Sequence, residues 1–278
     1  MQRLVGPTFA TMITVFALPG WAQDDEAAKI DALYEALALP QMLEIMREEG
    51  LDYGETIATD MFPGSGIARW NDAVSQIYDV EMMNEEVRGA FGEALEGDDI
   101  DAMLAFYNSD TGRTIIELEV SARRALLDDA IEQASKDNAA LAMADETPLA
   151  LQVQDFVTAN DLIEANVVGA LNSNYAFMTG LIDGGAMPPG ITPETVLRDV
   201  WAQEDEIRAN TSEWVYSFLL MAYQPLEAEQ MDEYIAFSKS DAGAEINGAL
   251  FEAFNGMFDD ISRALGLAAS RFMISQEL

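Results

Sequence analysis

The sequence predicts an all-α protein made of two tandem helical-bundle units related by internal duplication. Apolar residues recur at three- and four-residue steps from Ile67 to Leu95 and again from Trp201 to Tyr223, a spacing typical of one helix face. No segment shows the alternation of apolar and polar residues that predicts a β-hairpin. The segment AFYNSDTG at 105–112 returns as AFSKSDAG at 236–243, with an offset of 131 residues. A segment repeated in this way indicates one structural unit present twice.

Residues 1–22 are predicted to be a signal peptide for export to a periplasm. Arg3 is the only charged residue before an apolar run from Leu4 to Leu18, and small residues near Ala22 favour cleavage before Gln23. The alternative is an uncleaved membrane anchor, but the run is shorter than the roughly 20 residues that span a bilayer. No later segment is long and apolar enough for stable insertion in a membrane.

The rest of the chain is predicted to contain two repeats with a short segment between them. Each repeat reads as an early helical pair, a Pro/Gly loop, a long helix and a closing helical hairpin. The segment between the repeats is either a linker or a helix extension. The predicted boundaries are 24–136 for the first helical repeat, 137–149 for the intervening segment, 150–268 for the second helical repeat and 269–278 for a C-terminal tail.

The Pro/Gly loop of each repeat is predicted to lead into a capped helix. The sequence MFPG at 61–64 corresponds to MPPG at 187–190. Ser65 and Thr192 suit the N-cap position, because a side-chain oxygen there can accept hydrogen bonds from free backbone N–H groups. Pro193 suits the first helical turn, where its missing N–H costs nothing.

Each residue type in the repeated segment has a structural explanation. Ser109 can cap the helix that follows, and Asp110 brings a negative charge to the positive end of the helix dipole. Gly112 lets another backbone approach closely, and Phe106 lies in the apolar pattern of the preceding helix. The same roles are predicted, at the same offset, for Phe237, Ser240, Asp241 and Gly243, and the offset also pairs Trp70 with Trp201.

These two segments resemble the FYxSxxG hallmark of the bacterial exported domain of unknown function (DUF) family 2059. The resemblance covers most of residues 150–270, where it is better, and more weakly residues 30–135. It implies a secreted or periplasmic all-helical domain, and it provides no catalytic residues to transfer. Tyr107 fits the aromatic pair of the hallmark, whereas the second copy has Ser238 at that position.

Composition excludes several classes of function. The chain has no cysteine and no histidine, which removes Ser-His-Asp and Cys-His catalysis and the usual nitrogen or sulfur ligands of zinc. It carries 14 Lys and Arg residues against 50 Asp and Glu residues, a formal net charge of −36. Nucleic acids and anionic membranes are bound through cationic side chains, so neither is an expected partner. The acidic surface either captures cations or a basic partner, or it is a solvated coat that keeps the protein soluble.

Carboxylates are the remaining candidates for metal binding or acid–base chemistry. Asp98, Asp99 and Asp101 form the densest acidic segment, which lacks the ligand spacing of an EF-hand loop. The alternative for them is a helix start with acids at the positive end of the dipole. Asp259 and Asp260 could bind a hard cation, although an arginine one turn later is within reach for a surface ion pair.

Two further groups of residues bear on ligand binding. Asn166, Asn172 and Asn174 interrupt an apolar helix, and they either line a polar pocket or bond to neighbouring helix ends or water. Methionines at helical positions either fill an imperfect core or line a soft groove for apolar ligands. With no cofactor predicted, the leading interpretation is a non-enzymatic periplasmic protein that binds an unknown protein, peptide or apolar ligand. The alternative is a carboxylate-based calcium-binding protein or metal-dependent enzyme.

Overall fold

The computed structural model describes residues 20–63, 67–188 and 190–276. Within these ranges the chain is helical and contains no β-strand, so the all-α prediction is confirmed. The helices are α1 (Gly20–Ala36), α2 (Leu39–Met61), α3 (Ile67–Ile77), α4 (Val80–Ala94), α5 (Ile100–Tyr107), α6 (Asp110–Ala125), α7 (Asp129–Ala144), α8 (Pro148–Ala159), α9 (Leu162–Asp183), α10 (Pro193–Trp201), α11 (Glu204–Tyr223), α12 (Ala228–Ser238) and α13 (Asp241–Gln276). Most of the predicted signal peptide lies outside the described residues, and the predicted cleavage point between Ala22 and Gln23 falls in the first turn of α1.

The helices of the second half follow the same order as those of the first. In each half a first helix, α1 or α8, is followed by a residue with left-handed backbone, Ala38 or Asp161, and then by a long helix, α2 or α9. Next come a short helix, α3 or α10, then α4 or α11, and then α5 or α12. The halves differ at their ends, because α6 and α7 are separate helices whereas α13 runs unbroken to Gln276. The predicted C-terminal tail is therefore helical as far as Gln276.

The segment between the predicted repeats is mostly helical. Residues 137–144 belong to α7, so they extend a helix and do not form a linker. The chain then turns and starts α8 at Pro148, where Thr147 caps the helix by accepting a hydrogen bond from Ala150 N.

The two halves share one core and do not form two separate bundles. Helix α4 packs on α13, and α11 packs on α6 and α7, so each half covers apolar faces of the other. The main cluster of buried residues accordingly runs from Leu33 in α1 to Ala269 in α13. A smaller cluster between α9 and α10 lies wholly in the second half. The sequence had left the packing of the two helical units open, and their apolar faces are buried against each other.

The repeated segments form two turns of the same construction. Ser109 Oγ accepts a hydrogen bond from Gly112 N at 3.0 Å, and a Cβ on Gly112 would overlap the carbonyl oxygen of Phe106. The second copy shows the same cap and the same close approach at Ser240, Gly243 and Phe237. Asp110 and Asp241 lie in the first turns of α6 and α13. Both copies therefore contain a serine cap and a close backbone approach at the glycine.

The predicted pairing of Trp70 with Trp201 does not hold. Trp70 is fully buried and donates from Nε1 to Gly54 O at 2.7 Å, whereas Trp201 ends α10 with 52% of its surface exposed. The buried positions of α10 are occupied by Val196 and Val200. Helices α3 and α10 start at residues 67 and 193, a smaller offset than the 131 residues that separate the starts of α6 and α13, because α11 and α12 are longer than α4 and α5.

The predicted cap of α10 is confirmed. Thr192 Oγ1 accepts from Thr195 N at 3.3 Å, and Pro193 lies in the first turn. Ser65, predicted to cap α3, lies outside the described residues. In the described part of the chain, no helix combines the length and the apolar character needed to cross a bilayer.

Candidate ligand cavity

A cavity of about 690 Å³ lies between the two halves. Helices α2 and α6 of the first half and α9, α11 and α13 of the second half contribute most of its wall. Most side chains in the wall are apolar or aromatic, among them Leu39, Met42, Met46, Tyr78, Trp214, Phe218, Leu250, Phe251, Phe254 and Phe258. The arrangement can accommodate an apolar group against several aromatic rings.

One side of the cavity is polar. Its amide and hydroxyl side chains are Asn166, Ser173 and Asn174 on α9 and Asn247, Asn255 and Ser262 on α13. Some of them also bond to the protein: Asn166 Nδ2 donates to Leu162 O at 2.7 Å, and Asn247 Nδ2 donates to Asn160 O at 3.0 Å. Of the three asparagines singled out in the sequence, Asn166 and Asn174 line this pocket and Asn172 is exposed outside it.

Two charged side chains face the cavity, Glu119 and Arg123, one turn apart on α6. Arg123 binds both carboxylate oxygens of Glu49, with Nε–Oε1 at 2.7 Å and Nη2–Oε2 at 2.6 Å. Its guanidinium carbon also lies 5.0 Å from the centroid of the Trp214 ring, within reach of a cation–π interaction. The positive charge of Arg123 is therefore already matched by a bidentate partner.

Glu119 is surrounded by tyrosines. Its Oε1 atom accepts hydrogen bonds from Tyr223 OH at 2.6 Å and Tyr234 OH at 3.4 Å. Burial raises the pKa of Glu119 to about 7, although these hydrogen bonds favour the ionised form. Burial also raises the pKa of Tyr107, Tyr223 and Tyr234, so these three phenols stay neutral. The carboxyl group of Glu119, which is surrounded by aromatic side chains, therefore gains or loses its proton near neutral pH.

Glu119 is absent from the candidates named above, although the apolar pattern of α6 contains a signal for it. Ile115, Ile116 and Ala122 are buried on the apolar face of α6, and Glu119 occurs between them at helical spacing. A carboxylate in an apolar stripe needs hydrogen-bond partners. Here the partners come from α11 and α12, which are more than a hundred residues further along the chain.

Methionines occur both in the cavity wall and in the core. Met42 and Met46 line the cavity, whereas Met257 is fully buried in the core. Met83 is likewise buried, and its neighbour Met82 is 64% exposed. Met83 and Met257 therefore fill the core, whereas Met42 and Met46 lie in the cavity wall.

The acidic segment at 98–101 forms a helix start. Asp99 Oδ1 accepts from Ala102 N at 3.3 Å as the N-cap of α5, and Asp101 Oδ2 accepts from Lys29 Nζ at 2.9 Å. Asp98 is partly buried beside the start of α5. Among the described residues, no group of three or more Asp or Glu side chains is arranged to hold a metal ion.

The second acidic pair differs from its predicted environment. Asp259 Oδ1 accepts from Ser173 Oγ at 3.1 Å, and Asp260 is exposed. Arg263, the arginine expected to pair with them, binds Asp183 on α9 at 2.6 Å. The expected ion pair is replaced because α9 packs along α13 and brings Asp183 to Arg263.

Fold and cavity define the class of this molecule: an all-α protein whose halves share a core and enclose a mainly apolar cavity. Residues 81–140 match the model of a family described as an uncharacterized protein conserved in bacteria, DUF2059. This match supports the resemblance to that family, and it runs from α4 into α7 of the first half. The better likeness had been expected in residues 150–270, so this part of the expectation is corrected. No curated protein and no solved structure matches the chain.

Proposed function

We propose that the protein is a non-enzymatic binding protein that holds a small amphipathic molecule in the cavity between its halves. The observation that carries this proposal is the cavity itself, about 690 Å³ in volume and walled mainly by apolar and aromatic side chains. Ligand sites are typically concave spaces of about 300–1,000 Å³ with predominantly apolar walls and a few polar groups that orient the ligand. The polar side formed by α9 and α13 suits a molecule that has both apolar and polar parts.

A small molecule is favoured over a protein or peptide because of the size of the cavity. A volume of about 690 Å³ is within the range of small-molecule sites, whereas a partner helix or an extended peptide lies along a groove. Met42 and Met46 give the wall side chains with several rotatable bonds, which can adapt to ligands of different shape.

An origin by tandem duplication is also part of the proposal, and a corresponding hydrogen bond in each half supports it. Lys29 of α1 donates to Asp101 of α5 at 2.9 Å, and Gln152 of α8 donates to Asp232 of α12 at 2.7 Å. Both pairs join the first helix of a half to the helix that precedes its motif.

Export to a periplasm is also part of the proposal and rests on the N-terminal sequence. Arg3 and the apolar run that follows it are suited to a secretory signal. Expression of the full chain in a bacterium, followed by fractionation and mass determination, tests this point. A mature protein that begins at Gln23 in the periplasmic fraction is the expected result, and an uncleaved chain in the membrane fraction contradicts it.

Binding in the cavity is tested with N-phenylnaphthylamine, an uncharged dye whose fluorescence rises in apolar sites. The wild-type protein should bind it saturably. Ala170→Phe places a ring in the cavity wall and should weaken binding by about tenfold or more, equivalent to about 1.4 kcal/mol. Val168→Phe is the matched control, because Val168 lies on the same helix but is 40% exposed and outside the cavity.

The comparison of these two variants decides the proposal. Equal affinity of Ala170→Phe, Val168→Phe and wild type would show that the dye binds elsewhere, and the cavity would then have no role in binding. Circular dichroism of both variants establishes that a loss of binding does not come from unfolding.

A further inference from the structure

The charges around the cavity restrict the ligand that it can hold. Among the described residues that line it, Arg123 is the one cation, and its guanidinium is held by both oxygens of Glu49 and lies over Trp214. An anionic head group would have to displace Glu49, an exchange of one charge-assisted bidentate pair for another. The net charge of −36 also opposes the approach of an anion.

A positive group, in contrast, would find a carboxylate and aromatic rings. Glu119 faces the cavity together with Tyr107 and Tyr234. The hydrogen bonds that Glu119 receives from Tyr223 and Tyr234 both reach Oε1. An ionised carboxylate has about four lone-pair sites on two oxygens, so Oε2 retains capacity for a further partner.

We infer that the cavity selects a lipophilic cation, meaning an amine or quaternary ammonium group attached to an apolar chain or ring. The positive group lies beside Glu119, next to the side chains of Tyr107 and Tyr234, and the apolar part lies along Trp214 and Phe218. An ionised carboxylate attracts an ammonium group, and aromatic rings close to such a group add to the attraction. This inference rests on the proposed function and adds the chemical class of the ligand.

The protonation of Glu119 makes cation binding dependent on pH. Burial raises its pKa to about 7, so the carboxylate that attracts a cation is lost as the pH falls below neutrality. Three neutral phenols face it, those of Tyr107 on α5, Tyr223 on α11 and Tyr234 on α12. The ion pair of Arg123 with Glu49 of α2 lies one helical turn further along α6. None of these phenols becomes charged in that range, because their pKa values are raised by burial.

The test uses three ligands with the same decyl chain and different head groups: decyltrimethylammonium, decanol and decanoate. Each competes with N-phenylnaphthylamine for the wild-type protein, Glu119→Gln and Glu117→Gln. Glu117 is the matched control because it is exposed and lies two residues earlier on α6. The quaternary ammonium keeps its charge at every pH, so a pH dependence of its binding reports on the protein.

Decyltrimethylammonium should bind the wild type about tenfold more tightly than decanol at pH 8, as expected for one partly desolvated cation contact. The preference should shrink at pH 6, vanish in Glu119→Gln at both pH values and persist in Glu117→Gln. Equal affinities of cation and alcohol, tighter binding of decanoate, or a preference that survives in Glu119→Gln would overturn the inference. If the neutral dye still binds in the cavity in those cases, the proposed binding function stands and only the preference for a cation is wrong. If the dye does not bind in the cavity, the proposed function and the inference both fail.

Discussion

Phe106 and Phe237 stack on each other, with ring centroids 4.0 Å apart and planes 2° apart. They hold the same position in the two copies of the repeated segment, so the two turns face one another at the junction of the halves. Tyr107 meets the edge of Phe237, and Tyr234 stacks on Phe106. Since Tyr107 and Tyr234 also line the cavity, the paired turns support its aromatic wall.

The stacked pair should couple the stability of the two halves. Phe106→Ala and Phe237→Ala should each destabilise the protein by about 3 kcal/mol through loss of buried ring surface. The double variant should lose about 1 kcal/mol less than the sum of the two, because their mutual contact is lost only once. Urea unfolding of the four proteins measures this coupling. Phe62 has Trp70 and Phe272 as its ring partners and serves as the control. The effects of Phe62→Ala and Phe106→Ala on the free energy of unfolding should be additive.

The motif glycines should not tolerate a methyl group. A Cβ on Gly243 would overlap the carbonyl oxygen of Phe237, which is backbone and cannot rotate away. Gly243→Ala should therefore destabilise by about 2–4 kcal/mol. Gly248→Ala on the same helix meets nothing within 4 Å and should instead stabilise by about 0.5–1 kcal/mol. Thermal unfolding of both variants checks the contrast, and equal effects would show that the close approach is unimportant.

The local features of the fold were predictable, because each depends on neighbouring residues. The cap by Ser109, the close approach at Gly112 and the cap by Thr192 follow from residue type and position alone. Trp70 and Trp201 show where this reasoning fails. Identity at a fixed offset cannot reveal that α11 and α12 are longer than α4 and α5, which changes the offset between this position and the motif.

The candidate site was harder to predict because it depends on contacts between distant parts of the chain. Glu119 occurs in an otherwise apolar stripe, but its environment is made by Tyr223 and Tyr234 from the other half. The sequence gives no distance between α6 and α11, so the enclosure cannot be predicted. The same holds for Arg263, whose actual partner Asp183 lies on a helix eighty residues away.

Stability should depend on the protonation of Glu119. Its pKa rises from 4.5 to about 7 on folding, so the folded state binds more protons between these values and stability falls as the pH rises through this window. Glu119→Gln keeps an acceptor oxygen for the tyrosines and has no proton to lose. The variant should match the wild type near pH 4.5 and exceed it at pH 8 by up to about 3 kcal/mol.

Urea unfolding at a series of pH values between 4.5 and 8.5 measures this difference. Glu117→Gln, which removes an exposed charge on the same helix, should show no comparable growth of the difference with pH. A Glu119→Gln variant that becomes less stable than the wild type as the pH rises would mean that the ionised carboxylate stabilises the fold.

Calcium should act on this protein only as a general electrolyte. Asp99 is engaged as a helix cap and Asp101 by Lys29, so a calcium ion at this segment would have to replace existing bonds. Calcium binding by several oxygens of a preformed site would instead raise the melting temperature at micromolar concentration. We expect no such change at micromolar calcium. We expect calcium chloride and sodium chloride, matched in ionic strength, to raise the melting temperature equally, because both screen repulsion among the acids.

A saturable micromolar effect that Asp99→Asn abolishes would favour the metal-binding alternative, since asparagine retains the cap oxygen and loses the charge that a cation needs.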